Sequence, residues 1–479
     1  MKKKWSALIY LVMIFGLVGI IFWIIKQGDD LQHITFQSGT KSVPINLTNV
    51  NNFQVFFKSF ESNLSDPLAI LILQIIVIIT FARIVGILFK KIGQPIVIGE
   101  ILAGIILGPS FFGFFFPNIN NFLFPVSSLG TLQFLSQIGL ILFMFIIGME
   151  LDLKAIRKQA FDAIIISHAS IIIPYTLGMG LAYFIYIQYA PEGISFLSFS
   201  LFMGIAMSIT AFPVLARILQ ERGMSKTKLG AMALTCAAAD DITAWFILAA
   251  VIALVKSGSP LSALYTIAFT ILYILVMLKI IRPILDRLVN IYSLQEKMRA
   301  AIIASLFVML LISSYISSII GIHSLFGAFI AGVIMPTNFN FRKIVIDKIE
   351  AVSIVLLLPL FFVITGLKTQ IGLLNTPHLW ITFGWILLVA IIGKFGGSSL
   401  AAKMVGQTWK DSLSIGVLMN TRGLMQLIVL NIGYDLGILS PEIFAMMILM
   451  AVVTTFMTIP ALDLIQWLMP DKNKKKEMK

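Results

Sequence analysis

Apolar stretches of about 20 residues recur along almost the whole chain, from Trp5 to Met469, and short polar segments separate them. An α-helix of about this length crosses the hydrocarbon core of a bilayer. Soluble proteins instead interrupt their apolar segments with polar linkers and turn clusters every few dozen residues. The pattern therefore predicts an all-α polytopic membrane protein with about 14 transmembrane helices.

The predicted spans lie near residues 5–25, 68–89, 95–116, 130–150, 161–186, 196–217, 228–255, 261–281, 299–320, 325–340, 350–367, 379–402, 413–433 and 442–466. We expect residues 1–67 to form an N-terminal anchor helix and a polar external loop. Residues 68–466 are the predicted transmembrane domain, and residues 467–479 a short basic cytoplasmic tail. A cleaved signal peptide is the alternative for the first span, since Lys2 to Lys4 precede it. Its apolar stretch is too long for that and lacks a small-residue cleavage site.

Composition and charge support this class. Hydrophobic residues make up 59% of the chain and charged residues 12%, whereas soluble proteins average about 25% charged residues. The net charge of +13 is distributed as the positive-inside rule requires if both termini are cytoplasmic. The cations outside are then Lys26, Lys41, Lys58, Lys256 and Lys368. The excess is therefore a topology signal of a multi-pass protein of the cell membrane, and we expect no nucleic-acid partner.

Two short motifs occur twice. Ile101-Leu-Ala-Gly104 resembles Phe329-Ile-Ala-Gly332, and Phe143 to Gly148 resembles Phe361 to Gly366. The loop count gives the two members of each pair opposite orientations in the membrane. We therefore expect inverted repeats over residues 68–255 and 299–466, joined by a linker helix at 261–281, as in many secondary transporters.

Few ionisable residues lie inside the predicted spans, and an intramembrane charge indicates a functional site. Asp240, Asp241, Lys394 and Arg422 are the main candidates. At 1.5 Å per helical residue they lie about 12 to 18 Å from the cytoplasmic ends of their spans, so they can meet. A second carboxylate beside an ion pair can exchange a proton for a cation. The alternative is a structural ion pair between helices.

Helix-breaking residues interrupt two spans at equivalent places of the two halves. Pro213 follows Ser208 and Thr210 in one span, and Asn420, Thr421 and Gly423 interrupt the other. An ordinary proline kink is the alternative for Pro213. Broken helices at membrane depth line cavities or are buried in protein, and their ends coordinate ions. We therefore predict two broken helices at the site.

The segment from Gly93 to Pro109 (GQPIVIGEILAGIILGP), the Asp240-Asp241 pair and the segment from Asn420 to Asn431 (NTRGLMQLIVLN) resemble the monovalent cation:proton antiporter-2 family. The resemblance covers roughly residues 68–466. It implies two helix bundles, with the broken helices crossing in a mobile one and a homodimer formed through the other.

The resemblance also implies roles for the site residues. Asp241 is expected to carry the ion and the proton, Asp240 to pair with Lys394, and Thr210 to lie at the crossing. Arg422 is expected as a further charge partner from its depth in the membrane, and not from the resemblance. The family branch most similar to this chain usually has a glutamate where Gln426 stands, so one charge is missing here.

We therefore expect a secondary active transporter that exchanges Na⁺ or K⁺ for protons across the cytoplasmic membrane. It needs no enzyme activity, no cofactor, and no metal other than the transported ion. A cation channel or uniporter is the alternative function. A membrane enzyme or sensor that binds a metal at the aspartate pair is a third possibility, which Lys394 disfavours because its charge opposes a metal ion.

The predicted topology can be tested by labelling single cysteines in a Cys236→Ala background. Ser257→Cys is expected to react with a membrane-impermeant thiol reagent added outside cells, and Ser225→Cys only after the membrane is permeabilised. The reverse pattern would invert the topology.

Overall fold

The computed structural model describes residues 15–23, 26, 52–150, 160–224, 227–257, 260–292, 299–336 and 339–470. All regular secondary structure in these ranges is helical, which confirms the all-α class. Of the predicted anchor helix, only residues 15–23 are described, and they are helical. Residue 225, most of the predicted external loop and the tail from residue 471 lie outside the described ranges.

The chain divides into two units, Met1–Ser65 and Asp66–Lys479. In the first unit, α1 spans Asn52–Leu64.

The second unit contains the membrane helices. In its first half these are α2 (Pro67–Lys91), α3 (Ile96–Leu107), α4 (Val126–Glu150), α5 (Ala160–Tyr189), α6 (Phe196–Ser208), α7 (Phe212–Glu221) and α8 (Lys228–Ser257). Local sequence sets several of these starts. Asp66 caps α2 by accepting hydrogen bonds from the backbone N–H groups of Leu68 and Ala69, and Ser195 caps α6.

The second half begins after α9 (Pro260–Val276), which continues through a π-helical turn, Met277–Ile281, into α10 (Arg282–Tyr292). The helices that follow are α11 (Arg299–Ile320), α12 (Ser324–Val333), α13 (Phe339–Glu350), α14 (Leu358–Lys368), α15 (Pro377–Ile391), α16 (Gly397–Met404), α17 (Trp409–Met419), α18 (Leu424–Asp435) and α19 (Pro441–Leu468). Two further π-helical segments, Ala351–Leu357 and Ile392–Gly396, join α13 to α14 and α15 to α16.

The described residues carry 11 helices that are long and apolar enough to span a membrane, and 12 when α17 and α18 count as one bent span. The short apolar helix α12 occupies the place of the span predicted at 325–340. The predicted number of 14 is therefore not confirmed, because the first span lies largely outside the described residues and α12 is only 10 residues long.

The helices of the second unit pack as two bundles. We call α5 to α8 and α15 to α19 the site bundle, and α2, α3, α4 and α11 to α14 the frame bundle. Within the frame bundle α4 packs on α12 and α3 on α14, and within the site bundle α5 packs on α6, α8 and α16. Helix α9 contacts α8 of the site bundle and α11 of the frame bundle.

Glycines allow the helices of the two halves to meet backbone to backbone. A Cβ added to Gly104 of α3 would lie 2.9 Å from the Cα of Gly366 in α14, and one added to Gly148 of α4 would lie 2.9 Å from the Cα of Gly332 in α12. These are the four glycines of the repeated motifs. Each motif of one half therefore packs on the other motif of the opposite half, as an inverted repeat with a pseudo-twofold axis requires. The domain boundaries at residues 67 and 466 stay predictions.

These contacts predict that Gly332→Val destabilises the protein by about 2 kcal/mol or more, because the new side chain would be forced into backbone atoms that cannot move aside. Gly130→Val in α4 is the control, since a Cβ there meets no atom within 4 Å. Thermal denaturation of both variants in detergent, followed by gel filtration, measures the difference. Equal melting temperatures would contradict the close crossing.

Candidate ion-binding site

The two aspartates predicted from the sequence lie next to each other on α8, in the middle of the site bundle. Neighbouring helical positions point about 100° apart, so the two carboxylates have different surroundings. Asp240 has no exposed surface and Asp241 is 4% exposed.

Four side chains surround the Asp240 carboxylate. Lys394 Nζ donates to Oδ2 at 2.9 Å, and the Ser167 hydroxyl donates to Oδ1 at 2.6 Å. The hydroxyls of Ser170 and Thr210 each lie 2.7 Å from Oδ2. Burying a carboxylate costs little only where it is paired and hydrogen-bonded, and Asp240 meets both conditions.

The ammonium group of Lys394 is equally well bound. Its Nζ donates to Asp240, to the carbonyl oxygen of Ser170 at 2.9 Å, and to the carbonyl oxygen of Ser208. Lys394 lies in the π-helical segment Ile392–Gly396, a type of irregularity that is frequent at functional sites. The Ser208 carbonyl belongs to the last turn of α6, whose partial negative charge the ammonium offsets.

Asp241 has far fewer contacts. Its Oδ1 is buried and has no hydrogen-bond partner among the described residues. The backbone N–H of Phe212 is directed at its carboxylate, and Phe212 is the first residue of α7. Asp241 thus faces the positive end of a half-helix while one of its oxygens is left free to bind something else.

The two broken helices cross beside these aspartates. The backbone N–H of Ala211 donates to the carbonyl oxygen of Thr421 at 3.0 Å, which joins the two breaks directly. The Thr210 hydroxyl lies 3.0 Å from the carbonyl oxygen of Met419, the last residue of α17. Thr210 therefore contacts both the crossing and Asp240.

The helix-breaking residues have distinct places in the crossing. Pro213 lies in the first turn of α7, where proline is tolerated, and does not kink a continuous helix. Gly423 precedes α18, and a Cβ there would lie 2.7 Å from Cγ2 of Val214, so only glycine allows this approach. Asn420 Oδ1 and Thr421 Oγ1 are buried and have no partner among the described residues.

Arg422 does not contact either aspartate among the described residues, although it was expected as a charge partner. Its guanidinium donates to the carbonyl oxygens of Ala206 at 3.2 Å and Met207 at 2.9 Å, and to Gln426 Oε1 at 3.2 Å. Arg422 was expected near the carboxylates only because of its estimated depth in the membrane. Its side chain instead binds the carbonyl end of α6, because the crossing brings that end to it.

Ser167 and Ser170 are the site residues that the sequence analysis missed. Both are fully buried on α5. Their only sequence signal is the spacing of three, which puts two hydroxyls on one face of an apolar helix.

The two ends of the molecule differ in the space between the bundles. At the predicted cytoplasmic end, an open cavity of about 580 Å³ is lined by Glu150 of α4, Pro213 of α7, Glu350 of α13 and Phe212. Phe212 lines this cavity, and its backbone N–H is directed at Asp241. The cavity therefore borders a residue that contacts the Asp241 carboxylate. At the predicted external end, the polar pocket near Ser136 has only about 30 Å³, room for about one water molecule.

Inverted halves, crossing broken helices and a buried, incompletely paired carboxylate define a secondary transporter that exchanges a cation for protons. The family model described as "Sodium/hydrogen exchanger, transmembrane" matches residues 76–463. The chain belongs to this family.

Individual relatives agree with this assignment. The chain is 41% identical to the Na(+)/H(+) antiporter NhaS4 of Synechocystis sp., over 83% of this chain and 97% of that protein. It is 39% identical to cation/H(+) antiporter 17 of Arabidopsis thaliana and 35% identical to K(+)/H(+) antiporter 1 of Saccharomyces cerevisiae. These matches cover 84% and 85% of this chain but only 49% and 47% of those two proteins, so the chain spans about half of their length.

The fold is similar to that of the sodium proton antiporter MjNhaP1 from Methanocaldococcus jannaschii, with a TM-score of 0.61. The likeness covers 84% of this chain and 97% of that structure at 16% identity, so it concerns the fold alone.

The unequal surroundings of the aspartates predict unequal stability effects. Asp240→Ala leaves the Lys394 ammonium buried without its counter-ion and is expected to cost about 3 to 5 kcal/mol. Asp241→Asn removes no ion pair and is expected to change the stability by less than about 1 kcal/mol. Thermal denaturation of the two purified variants compares them, and similar losses would show that Asp241 is also a structural residue.

Proposed function

We propose that the chain exchanges Na⁺ or K⁺ for protons, and that Asp241 binds the cation and the proton in turn. The observation that carries this proposal is the difference between the neighbouring aspartates. The Asp240 carboxylate is bound by one ammonium and three hydroxyl groups, whereas one oxygen of Asp241 has no hydrogen-bond partner among the described residues. Phe212, whose N–H is directed at the Asp241 carboxylate, lines an open cavity.

The chemistry follows from the cost of burying charge. A carboxylate held away from water must be neutralised by a proton or a cation. A proton and a cation compete, because they bind the same carboxylate oxygen. When the site moves across the membrane only with this charge neutralised, it carries a proton in one direction and a cation in the other. Among the described residues, no ammonium or guanidinium group pairs with Asp241. Its neutralisation therefore depends on the transported ions.

The crossing supplies further oxygen ligands for a dehydrated monovalent cation. Asn420 Oδ1 and Thr421 Oγ1, at the break between α17 and α18, are buried acceptors that no other described residue satisfies. The Thr210 hydroxyl links this break to Asp240. Such hydroxyl and carbonyl oxygens suit both Na⁺ and K⁺, so the site chemistry supports a monovalent cation without separating the two.

The fixed cations near the site have a different role. Lys394 and Arg422 both bind carbonyl groups at the end of α6, where the half-helix carries partial negative charge. Gln426 accepts from Arg422 without adding a negative charge. We infer that these two residues hold the crossing rigid, and that Lys394 is in addition the counter-ion of Asp240.

Alternating access is supported by the unequal ends of the molecule. The cavity of about 580 Å³ at the predicted cytoplasmic end extends to Phe212 and Pro213 of α7, whereas the pocket at the other end has a volume of only about 30 Å³. A channel would need a path that is open at both ends at once, and a carrier needs one open end at a time. We propose that the site bundle moves against the frame bundle to expose Asp241 to the other side.

We propose that the protein works in the cell membrane with both termini in the cytoplasm, and that it forms a homodimer through the frame bundle. The names of the relatives, Na(+)/H(+) antiporter and K(+)/H(+) antiporter, support either cation. Cross-linking in native membranes tests the dimer.

The proposed role of Asp241 predicts that Asp241→Asn abolishes cation-driven proton movement in proteoliposomes, because an amide neither releases a proton nor neutralises a bound cation. Asp241→Glu is expected to keep partial activity with an altered cation affinity. Proton flux is followed with an internal pH-sensitive dye after addition of Na⁺, K⁺ or Li⁺, and this series also identifies the cation.

Asp463→Asn is the matched control, since Asp463 is a half-exposed carboxylate of α19 whose ion pair lies away from the crossing. It is expected to retain exchange. Wild-type flux in Asp241→Asn would refute the assignment of the carrier.

A further inference from the structure

The predicted external end of the molecule is closed by a polar cluster that the exchange chemistry does not use. Lys368 is the last residue of α14, Asp435 is the last residue of α18, and Gln133 lies in the second turn of α4. Lys368 Nζ donates to Asp435 Oδ1 at 2.7 Å, and Gln133 Nε2 donates to Asp435 Oδ2 at 3.0 Å. Both oxygens of this carboxylate are therefore bound from the frame bundle.

The aromatic ring next to Asp435 adds to this attachment. Lys368 Nζ lies 5.9 Å from the centre of the Tyr434 ring, within cation–π distance. Tyr434 and Asp435 belong to α18 of the site bundle, so Lys368 holds two consecutive residues of the element that forms the crossing. Any sliding of α18 along the frame bundle must break these contacts.

A second surface ion pair is arranged differently. Arg222, at the end of α7, binds Asp463 of α19 through two hydrogen bonds of 2.5 and 2.8 Å. Both residues belong to the site bundle, so this pair moves with the bundle. The Lys368–Asp435 pair, by contrast, is a salt bridge that joins the two bundles.

The cluster lies on the route by which water and ions would enter from the predicted external end. Lys368, Asp435 and Gln133 line the pocket of about 30 Å³, with Ser136 and Asn431 beneath them. Ser136 is 2% exposed and Asn431 is 8% exposed. Asn431 lies two turns beyond Gly423 on α18, so opening this pocket would extend a path from the outside toward the crossing.

We propose that Lys368, Asp435 and Gln133 form a latch that holds the predicted external end closed while the cytoplasmic cavity is open, and that the latch breaks whenever the site turns outward. This inference rests on the proposed exchange function. Lys368 and Asp435 are partly exposed, with 21% and 38% of their side-chain surfaces accessible. Ion pairs at such exposure are weak, which suits a contact that forms and breaks in every cycle.

The latch is tested by the accessibility of Ser136→Cys in a Cys236→Ala background. A membrane-impermeant thiol reagent is added from outside to cells, and the rate of modification is measured. Lys368→Gln is expected to raise the rate about threefold to fivefold, the effect of losing a partly exposed ion pair of up to about 1 kcal/mol. Asp435→Asn is expected to act in the same direction.

Two variants distinguish a latch from general loosening of the fold. Exchanging the charges in Lys368→Asp with Asp435→Lys is expected to return the rate toward that of the parent protein. Arg222→Gln removes the ion pair within the site bundle and is expected to leave the rate unchanged. An unchanged rate in Lys368→Gln, or an equal increase in Arg222→Gln, would overturn the proposal.

The outcome is separable from the proposed function, because accessibility is measured without transport. If exchange by the parent protein fails but Lys368→Gln still exposes Ser136→Cys, the latch stands and the exchange proposal falls. If exchange is normal and accessibility does not change, only the latch falls. Gel filtration of each variant verifies that the modified protein is folded.

Discussion

The structure depends on one buried ion pair, between Lys394 and Asp240. Two unpaired charges at this depth would be too costly to bury, and the hydroxyls of Ser167, Ser170 and Thr210 complete the coordination of the carboxylate. Lys394 also binds the carbonyl end of α6, so the same ammonium fixes one broken helix to α8. This pair sets the position of the next residue, Asp241. The Asp241 carboxylate can keep few hydrogen bonds because the Asp240–Lys394 pair stabilises the surrounding helices.

The frame bundle is held together by close contacts at glycines. Gly104 with Gly366 and Gly148 with Gly332 let helices of opposite halves touch through their backbones. Close packing of this kind drives helix association in a membrane, where apolar side chains gain little from contact with one another instead of with lipid. The frame bundle is packed backbone to backbone, whereas the site bundle contains the buried charges and the broken helices, so we expect motion between the two bundles.

Much of this arrangement could be predicted from the sequence, and the exceptions have physical reasons. The membrane class, the inverted motifs and the broken helices depend on hydropathy, on loop charge and on residues that break helices. That Asp240 pairs with Lys394 was implied by the family resemblance, because the sequence alone does not show which aspartate faces the lysine. Arg422 was placed near the carboxylates because its depth in the membrane was similar, but depth does not specify direction around a helix. Ser167 and Ser170 gave too little signal because serine is common in membrane helices. The contact between Lys368 and Asp435 joins residues far apart in the chain, and only the packing of α14 against α18 reveals it.

The central claim is that Asp241 releases its proton when a cation binds. Purified protein in weakly buffered detergent solution, with a pH electrode recording protons released as Na⁺ or K⁺ is added, tests this most directly. The account predicts a saturable release from the wild-type protein and none from Asp241→Asn that still elutes as a folded protein. Release of the same size from Asp241→Asn would contradict it and would place the exchanging proton on another group.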